Sequence, residues 1–170
     1  YDLSAKYFKG FIELFSRSEK VAEAEYLYSM SLYKVSPNSN LDQSSTLEAI
    51  SAIQNFINKY PYSDYSKNAN SIIDELQIKL ETKNFENAKQ YYKTRNYKSA
   101  IIALQNFEND FPDSSFNEEG AYLKILSQYL ISINSFKDLQ QERFNETIEL
   151  YLNFIDKYPK SSFQPQAEEM

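Results

Sequence analysis

Three segments of the chain repeat one pattern, and that recurrence limits the fold more than any other feature. They read NFINKYPYSDYSKNA (55–69), NFENDFPDSSFNEEG (106–120) and NFIDKYPKSSFQPQA (153–167), with a fainter copy, GFIELFSRSEKVAEA, starting at Gly10. Each copy keeps an aromatic at its second place (Phe11, Phe56, Phe107, Phe154) and another just before a corner held by Ser16, Pro61, Pro112 and Pro159. The corners lie 45, 51 and 47 residues apart. A helical hairpin cannot hide its apolar stripe alone, and stacked copies supply each stripe with a neighbour.

Upstream of each proline a small residue and an aromatic stand seven positions apart: Ala49 and Phe56, Ala100 and Phe107, Thr147 and Phe154. Ile53, Leu104 and Tyr151 fall between them on the same helical stripe. This is the second half of a tetratricopeptide-type unit, in which the small residue admits a neighbouring helix and the proline ends its own. The spacing exceeds the usual ~34 residues, so the first helices and loops are expected to be long.

S-x-x-E capping boxes are expected at Ser16 and Glu19, Ser45 and Glu48, and Ser115 and Glu118. Helices are expected over 2–15, 18–35, 44–60, 64–94, 97–111, 115–136 and 142–158, with a last one from near 163. Within 64–94 no Pro or Gly intervenes, yet the polar ETKNFEN at 81–87 leaves a break open. The expectation is an all-α chain, a tetratricopeptide-like α-solenoid of antiparallel helix pairs, forming one helical-repeat domain over 1–170 with corners near 16, 61, 112 and 159.

Composition agrees. Two Gly and five Pro are too few for the turns of a β-sandwich, and 42% hydrophobic residues with 15 Tyr and 12 Phe argue against disorder. No apolar run approaches the ~18 residues that span a bilayer, and the first residues have no signal-peptide pattern. Residue 1 opens inside a periodic segment without a cap, as expected of a fragment or processed product.

Chemistry has little to work with. There is no His and no Cys, which removes the usual general base, the thiol nucleophile and the common transition-metal ligands. Adjacent acids such as Glu118 and Glu119 point about 100° apart on a helix and cannot share a proton. SPNSNLDQSS (36–45) lacks the central Gly and final Glu of a calcium loop, and Gly10 and Gly120 cannot build a phosphate-binding loop. A net charge of -6 opposes nucleic-acid binding. No enzymatic activity, cofactor or metal is therefore expected.

Two irregularities offer binding surfaces. In QYYKTRNY (90–97), Tyr91 and Tyr92 face different sides of one helix, so one is either exposed near Arg95 as an interface anchor or both pack; Tyr92 and Arg95 are the candidates. SFKDLQQERF (135–144) is expected to be a polar insertion, of the kind that gathers at the binding face of repeat arrays. Its Lys137 and Arg143 either contact an acidic partner or are solvated surface.

Longer stretches carry a resemblance. LDQ after a KxSP loop, AKxYYKxxxYxxAI, and NSxxxxxxERFxxxI occur here at 34–43, 88–101 and 134–148. In this order and spacing the chain resembles the BamD family of outer-membrane protein assembly lipoproteins. The resemblance implies an adaptor at the periplasmic face of the outer membrane, held by a lipidated Cys that lies outside this chain. It also implies docking on the POTRA domains of a BamA-like barrel protein, contact with other assembly-complex subunits, and help in delivering unfolded outer-membrane proteins. In the family BamA contacts fall on the C-terminal units, the half that holds Arg95 and 135–144. Two rivals stand beside this reading: a periplasmic tetratricopeptide coordinator of cell-envelope constriction, which shares the FxxxYPxS corners, and a catalytic helical domain such as a carboxylate glycosidase. The glycosidase would require two separated acids converging in a cleft, and periodicity brings no such pair together.

Overall fold

The computed structural model describes residues 1–170 and is helical throughout: α1 (Asp2–Leu14), α2 (Val21–Val35), α3 (Ser44–Lys59), a 3-10 turn (Asp64–Asn68), α4 (Ala69–Lys93), α5 (Tyr97–Asp110), α6 (Asn117–Ile133), α7 (Lys137–Lys157) and α8 (Gln164–Glu168). It forms two compact units, Tyr1–Leu80 and Glu81–Met170. In each, consecutive helices pack as antiparallel pairs, α1 on α2 and α2 on α3 in the first, α5 on α6 and α6 on α7 in the second. This is the tetratricopeptide-like α-solenoid arrangement expected from the repeat.

The repeated stripe builds both cores. In the first unit Ala49 and Ile53 are buried with Ala5, Leu32, Ala69 and Leu76. In the second, Leu104 and Phe107 are buried with Phe85, Ala88 and Leu123, while Phe154 joins Ile125 and Ala167. Ala49 and Ala100 are wholly buried, as the close approach of a neighbouring helix requires. The polar segment 81–87 does not break α4, because Phe85 and Ala88 fall on its buried side.

The four corners share one construction. The residue before each corner, Phe15, Tyr60, Phe111 or Tyr158, leaves the helix at φ between -131° and -122° and ψ between 41° and 67°. The N–H groups of Ser18, Ser63, Ser114 and Ser161 then donate to the carbonyls of those four residues at 2.9–3.1 Å. Each serine Oγ accepts from the N–H two residues on, that of Lys20, Tyr65, Phe116 or Phe163, at 3.1–3.4 Å. Ser16 has the same geometry without a proline.

The expected capping boxes are not formed. The serines that order the corners are instead Ser18, Ser63, Ser114 and Ser161, and of these Ser63 alone stands at an N-cap, that of the 3-10 turn, where its side chain accepts from the Tyr65 N–H. Glu118, freed from a box, accepts from Ser161 Oγ, and Asp42 rather than Ser45 accepts from the Ser44 N–H at the start of α3. The other correction concerns 135–144. Only Ser135 and Phe136 form the turn, and α7 starts at Lys137; Lys, Asp, Leu, Gln, Glu and Arg make a helix as readily as a loop, with Asp138 in the positive first turn.

Aromatic rings four residues past each proline fasten one pair to the preceding one. Tyr65 stacks on Tyr26 of α2, Phe116 on Phe85 of α4 and Phe163 on Tyr122 of α6, with centroids 4.5, 4.9 and 4.8 Å apart. At the Pro112 corner, buried Asn117 donates through Nδ2 to the carbonyls of Phe111 (2.7 Å) and Pro112 (3.0 Å). Replacing Asn117 by Ala is expected to cost about 1–2 kcal/mol, since the Pro112 carbonyl loses its donor and the Phe111 carbonyl keeps only the Ser114 N–H; urea denaturation at neutral pH measures it. A cost near zero would show that water serves them as well.

The LDQ loop is organised from within. Gln43 is buried, its Nε2 donating to the Asn38 and Leu41 carbonyls and its Oε1 accepting from Thr46 Oγ1. Ser36 Oγ and Thr46 Oγ1 lie 2.8 Å apart, joining the end of α2 to the start of α3. The Gln of this motif thus has a packing role.

Candidate functional site

The irregular segments singled out by sequence both fall in the second unit. At its α4–α5 turn, Arg95 has φ 63°, the chain's single left-handed residue. The cause is a Schellman end to α4: Arg95 N–H donates to the Tyr92 carbonyl (2.9 Å) and Asn96 N–H to the Tyr91 carbonyl (2.8 Å). Glycine is the usual occupant of that place, since a Cβ is disfavoured there. Arg95→Gly is expected to stabilise the protein by about 0.5 kcal/mol, the relief of left-handed strain exceeding the extra freedom of an unfolded glycine. A small upward shift of the thermal midpoint checks it; a downward shift would mean that the arginine side chain itself supports the fold.

Tyr92 is half-buried against the Phe85–Phe107 core, its ring 6.0 Å from that of Tyr97. Tyr91 is the exposed ring of the pair, at 45%. Helical phase explains the difference: Tyr92 lies four residues after buried Ala88 and shares its side, while Tyr91 lies about 100° away. Around Arg95 the sequence is basic. From Asn87 to Phe107 there is no acidic residue, but four cations, Lys89, Lys93, Arg95 and Lys98. Lys89 pairs with Glu119 (2.5 Å) and Lys93 with Glu86 (2.9 Å), leaving Arg95 and Lys98 without a carboxylate. That acid-free run is the signal that marks Tyr91 and Lys98 as further surface residues.

Lys137 is exposed on the first turn of α7, beside Phe136, whose ring is 84% exposed. Arg143 is half-buried and donates to Ser135 Oγ. It lines a groove of about 420 Å³ with Lys98, Ile101, Leu139, Glu142 and Glu146, two cations against two acids. The structure therefore brings Arg143 together with Lys98, on the helix that follows Arg95. It gives no contact between this group and Lys137.

A second polar cluster escaped the sequence reading. Lys124 of α6 is buried, and its Nζ donates to Gln105 Oε1 (2.9 Å) and Glu108 Oε2 (2.7 Å). Lys157 of α7 donates to the other oxygen of Glu108 at 2.6 Å. Burial alone would raise the Glu108 carboxyl, but hydrogen bonds and charge from the two lysines outweigh it and hold it below the ordinary carboxylate range. The Lys157 ammonium is held above its usual value, chiefly by its bond to Glu108. An apolar-stripe argument places a lysine at the surface, so no sequence signal pointed here.

The polar groups of this unit are surface cations, aromatic rings and ion pairs that tie helices together. No helix is long and apolar enough to cross a membrane.

Comparison with known proteins gives the surface a context. Residues 134 in number, 79% of this chain, align at 23% identity with the outer membrane protein assembly factor BamD of Rickettsia prowazekii (strain Madrid E). The alignment covers 53% of that relative, so the chain spans about half the length of the curated protein it matches. The profile of the outer membrane lipoprotein family YfiO matches at residues 1–91 and again at 79–170, taking in both compact units. The chain belongs to the YfiO family of outer membrane lipoproteins.

Proposed function

We propose that this chain is a non-enzymatic adaptor of the outer-membrane β-barrel assembly machinery, working at the periplasmic face of the outer membrane. The observation that carries the reading is the family match over both units. In this reading the chain binds the POTRA domains of a BamA-like barrel protein, associates with other assembly subunits, and helps to deliver unfolded outer-membrane proteins. A lipid anchor, not a spanning helix, holds it to the membrane. The same match favours this role over a coordinator of cell-envelope constriction.

The docking surface proposed is the basic turn of the second unit, with Arg95 and Tyr91 at its centre, Tyr92 supporting Tyr91 from the core, and Arg143 and Lys137 on the α7 side. Exposed Arg and Tyr are favoured anchors of interfaces, and two cations without acidic partners suit a carboxylate-bearing domain. The test is co-purification with the POTRA domains of a BamA-type protein, using native chain and Arg95→Glu. Retention of the native chain and a loss on the order of tenfold in affinity for the variant is the expected result. Failure of the native chain to bind, with recovery of peptidoglycan enzymes instead, would move the assignment to the coordinator.

A further inference from the structure

The three ring stacks that fasten the corners differ in chemistry. At the Pro112 corner the pair is Phe85 and Phe116, at the Pro159 corner Tyr122 and Phe163, and at the Pro61 corner two phenols, Tyr26 and Tyr65. The two phenols form the closest of the stacks, with centroids 4.5 Å apart and planes inclined by 20°. Near-parallel rings at that separation have carbon atoms close to van der Waals contact. Tyr26 is half-buried on α2 and is backed by the Phe56 ring at 5.7 Å, while Tyr65 is 42% exposed on the 3-10 turn. One ring is thus held in place and its neighbour is open to a reagent in solvent. Tyr92 and Tyr97, another pair of phenols, lie 6.0 Å apart with planes at 53°, a looser and tilted contact.

Composition directs oxidation to such rings. Thiols and thioethers are the usual targets of oxidants, and the chain has no Cys and two Met, but 15 Tyr. Trp is also absent, so tyrosine is the side chain from which a single electron is most easily removed.

We propose that Tyr26 and Tyr65 are a site of oxidative modification, where a peroxide acting through a one-electron oxidant of the haem-peroxidase class joins the rings as dityrosine. Each phenol gives up one electron and its hydroxyl proton. The two phenoxyl radicals couple through carbons ortho to their oxygens. One C–C bond forms, and the two ortho hydrogens pass as protons to the oxygens, restoring both hydroxyls. The two electrons and two protons released convert one hydrogen peroxide to two waters. Its exposure lets the Tyr65 ring slide from the stack to the edge-on approach that the new bond needs. The product is a covalent brace between α2 and the turn that leads into α4, in a chain that can form no disulfide. Like a disulfide, it stabilises by restricting the unfolded chain. The site lies in the first unit and stands independently of the adaptor reading.

The test treats the full 170-residue chain, kept dilute, with hydrogen peroxide and a haem peroxidase. Dityrosine fluorescence, migration under denaturing conditions and fragment mass spectra of tryptic peptides are the readouts. The expected product is a single chain lighter by two hydrogens, with Tyr26 joined to Tyr65. Its yield should be on the order of tenfold above any link between molecules, because neighbours held in place react as if concentrated. Tyr26→Phe and Tyr65→Phe place at this corner the rings that Phe85 and Phe116 already provide at the next. Both should keep the native thermal midpoint and lose the link, whereas Tyr92→Phe should retain it. Treated native chain should melt higher than untreated, and treated Tyr65→Phe should not. Absence of a link within the chain, a dominant link at Tyr92 and Tyr97 or between molecules, or fluorescence surviving in both first-unit variants would overturn the site. A Tyr26–Tyr65 link that leaves the midpoint unmoved would overturn the bracing role.

Discussion

Phe107→Ala is expected to cost about 3–5 kcal/mol, the range for removing a buried aromatic from a packed core. The ring is 4% exposed, lies 5.4 Å from Phe85 and 5.2 Å from Phe111, and sits with Leu104 and Leu123. Its removal takes away transfer energy and leaves a cavity that helices on both sides are too constrained to close. The control lies in the same repeat position. Phe11 is equivalent in register, but in the first helix it is only half-buried and its neighbouring ring, Phe15, is 56% exposed. Phe11→Ala should therefore cost no more than about 1.5 kcal/mol, a part of the value of full burial. Denaturant midpoints with unchanged slope measure both. Equal costs at the two positions would mean that the repeat register does not determine which aromatic carries a core.

The second large effect concerns charge. Glu108→Leu leaves the Lys124 ammonium buried with only the Gln105 amide oxygen for company, and an uncompensated buried charge is strongly destabilising. Because Glu108 still touches water, the expected cost is about 2–3 kcal/mol, below the full value for a dry pair. Lys124→Met should cost less than about 1 kcal/mol, since it removes the buried charge itself and leaves Glu108 bonded to Lys157. The pH dependence has a definite sign. With its folded pKa lowered, Glu108 contributes fully above the unfolded carboxylate value of about 4.3 and loses its contribution as pH falls through the lower folded value. The stability gap between native protein and Glu108→Leu should be constant from pH 7 to about 5 and narrow below about 4. A gap that widens in acid would contradict the ion-pair account.

What sequence made legible was whatever obeys a period. Ala49, Ile53, Phe56 and their counterparts announce a buried stripe because the helix repeats every 3.6 residues, and Pro61, Pro112 and Pro159 announce where it stops. Signals that depend on where a chain has turned were harder. Ser115 looks like a cap from its spacing to Glu118, but Ser114 orders the corner by accepting from the Phe116 N–H, and α6 begins only at Asn117 with no side-chain cap. KDLQQERF has the polarity of a loop and the propensity of a helix, and packing of α7 on α6 decided between them. Tyr91 and Tyr92 could be separated only once buried Ala88 fixed the phase. Lys124 was invisible for another reason: charged residues are assigned to the surface by default, and its acceptors come from α5, sixteen and nineteen positions back.

The corner at Ser16 bears on how such arrays diversify. It keeps the serine turn and the backbone bonds of the other three with no imino acid present, so the turn is dictated by the helices it joins. Proline at the other three then acts mainly by thinning out the conformations open to the denatured chain. Joints of this kind are interchangeable parts: sequence can drift at the bend itself without altering how the flanking rods meet, provided the serine and the preceding ring are kept.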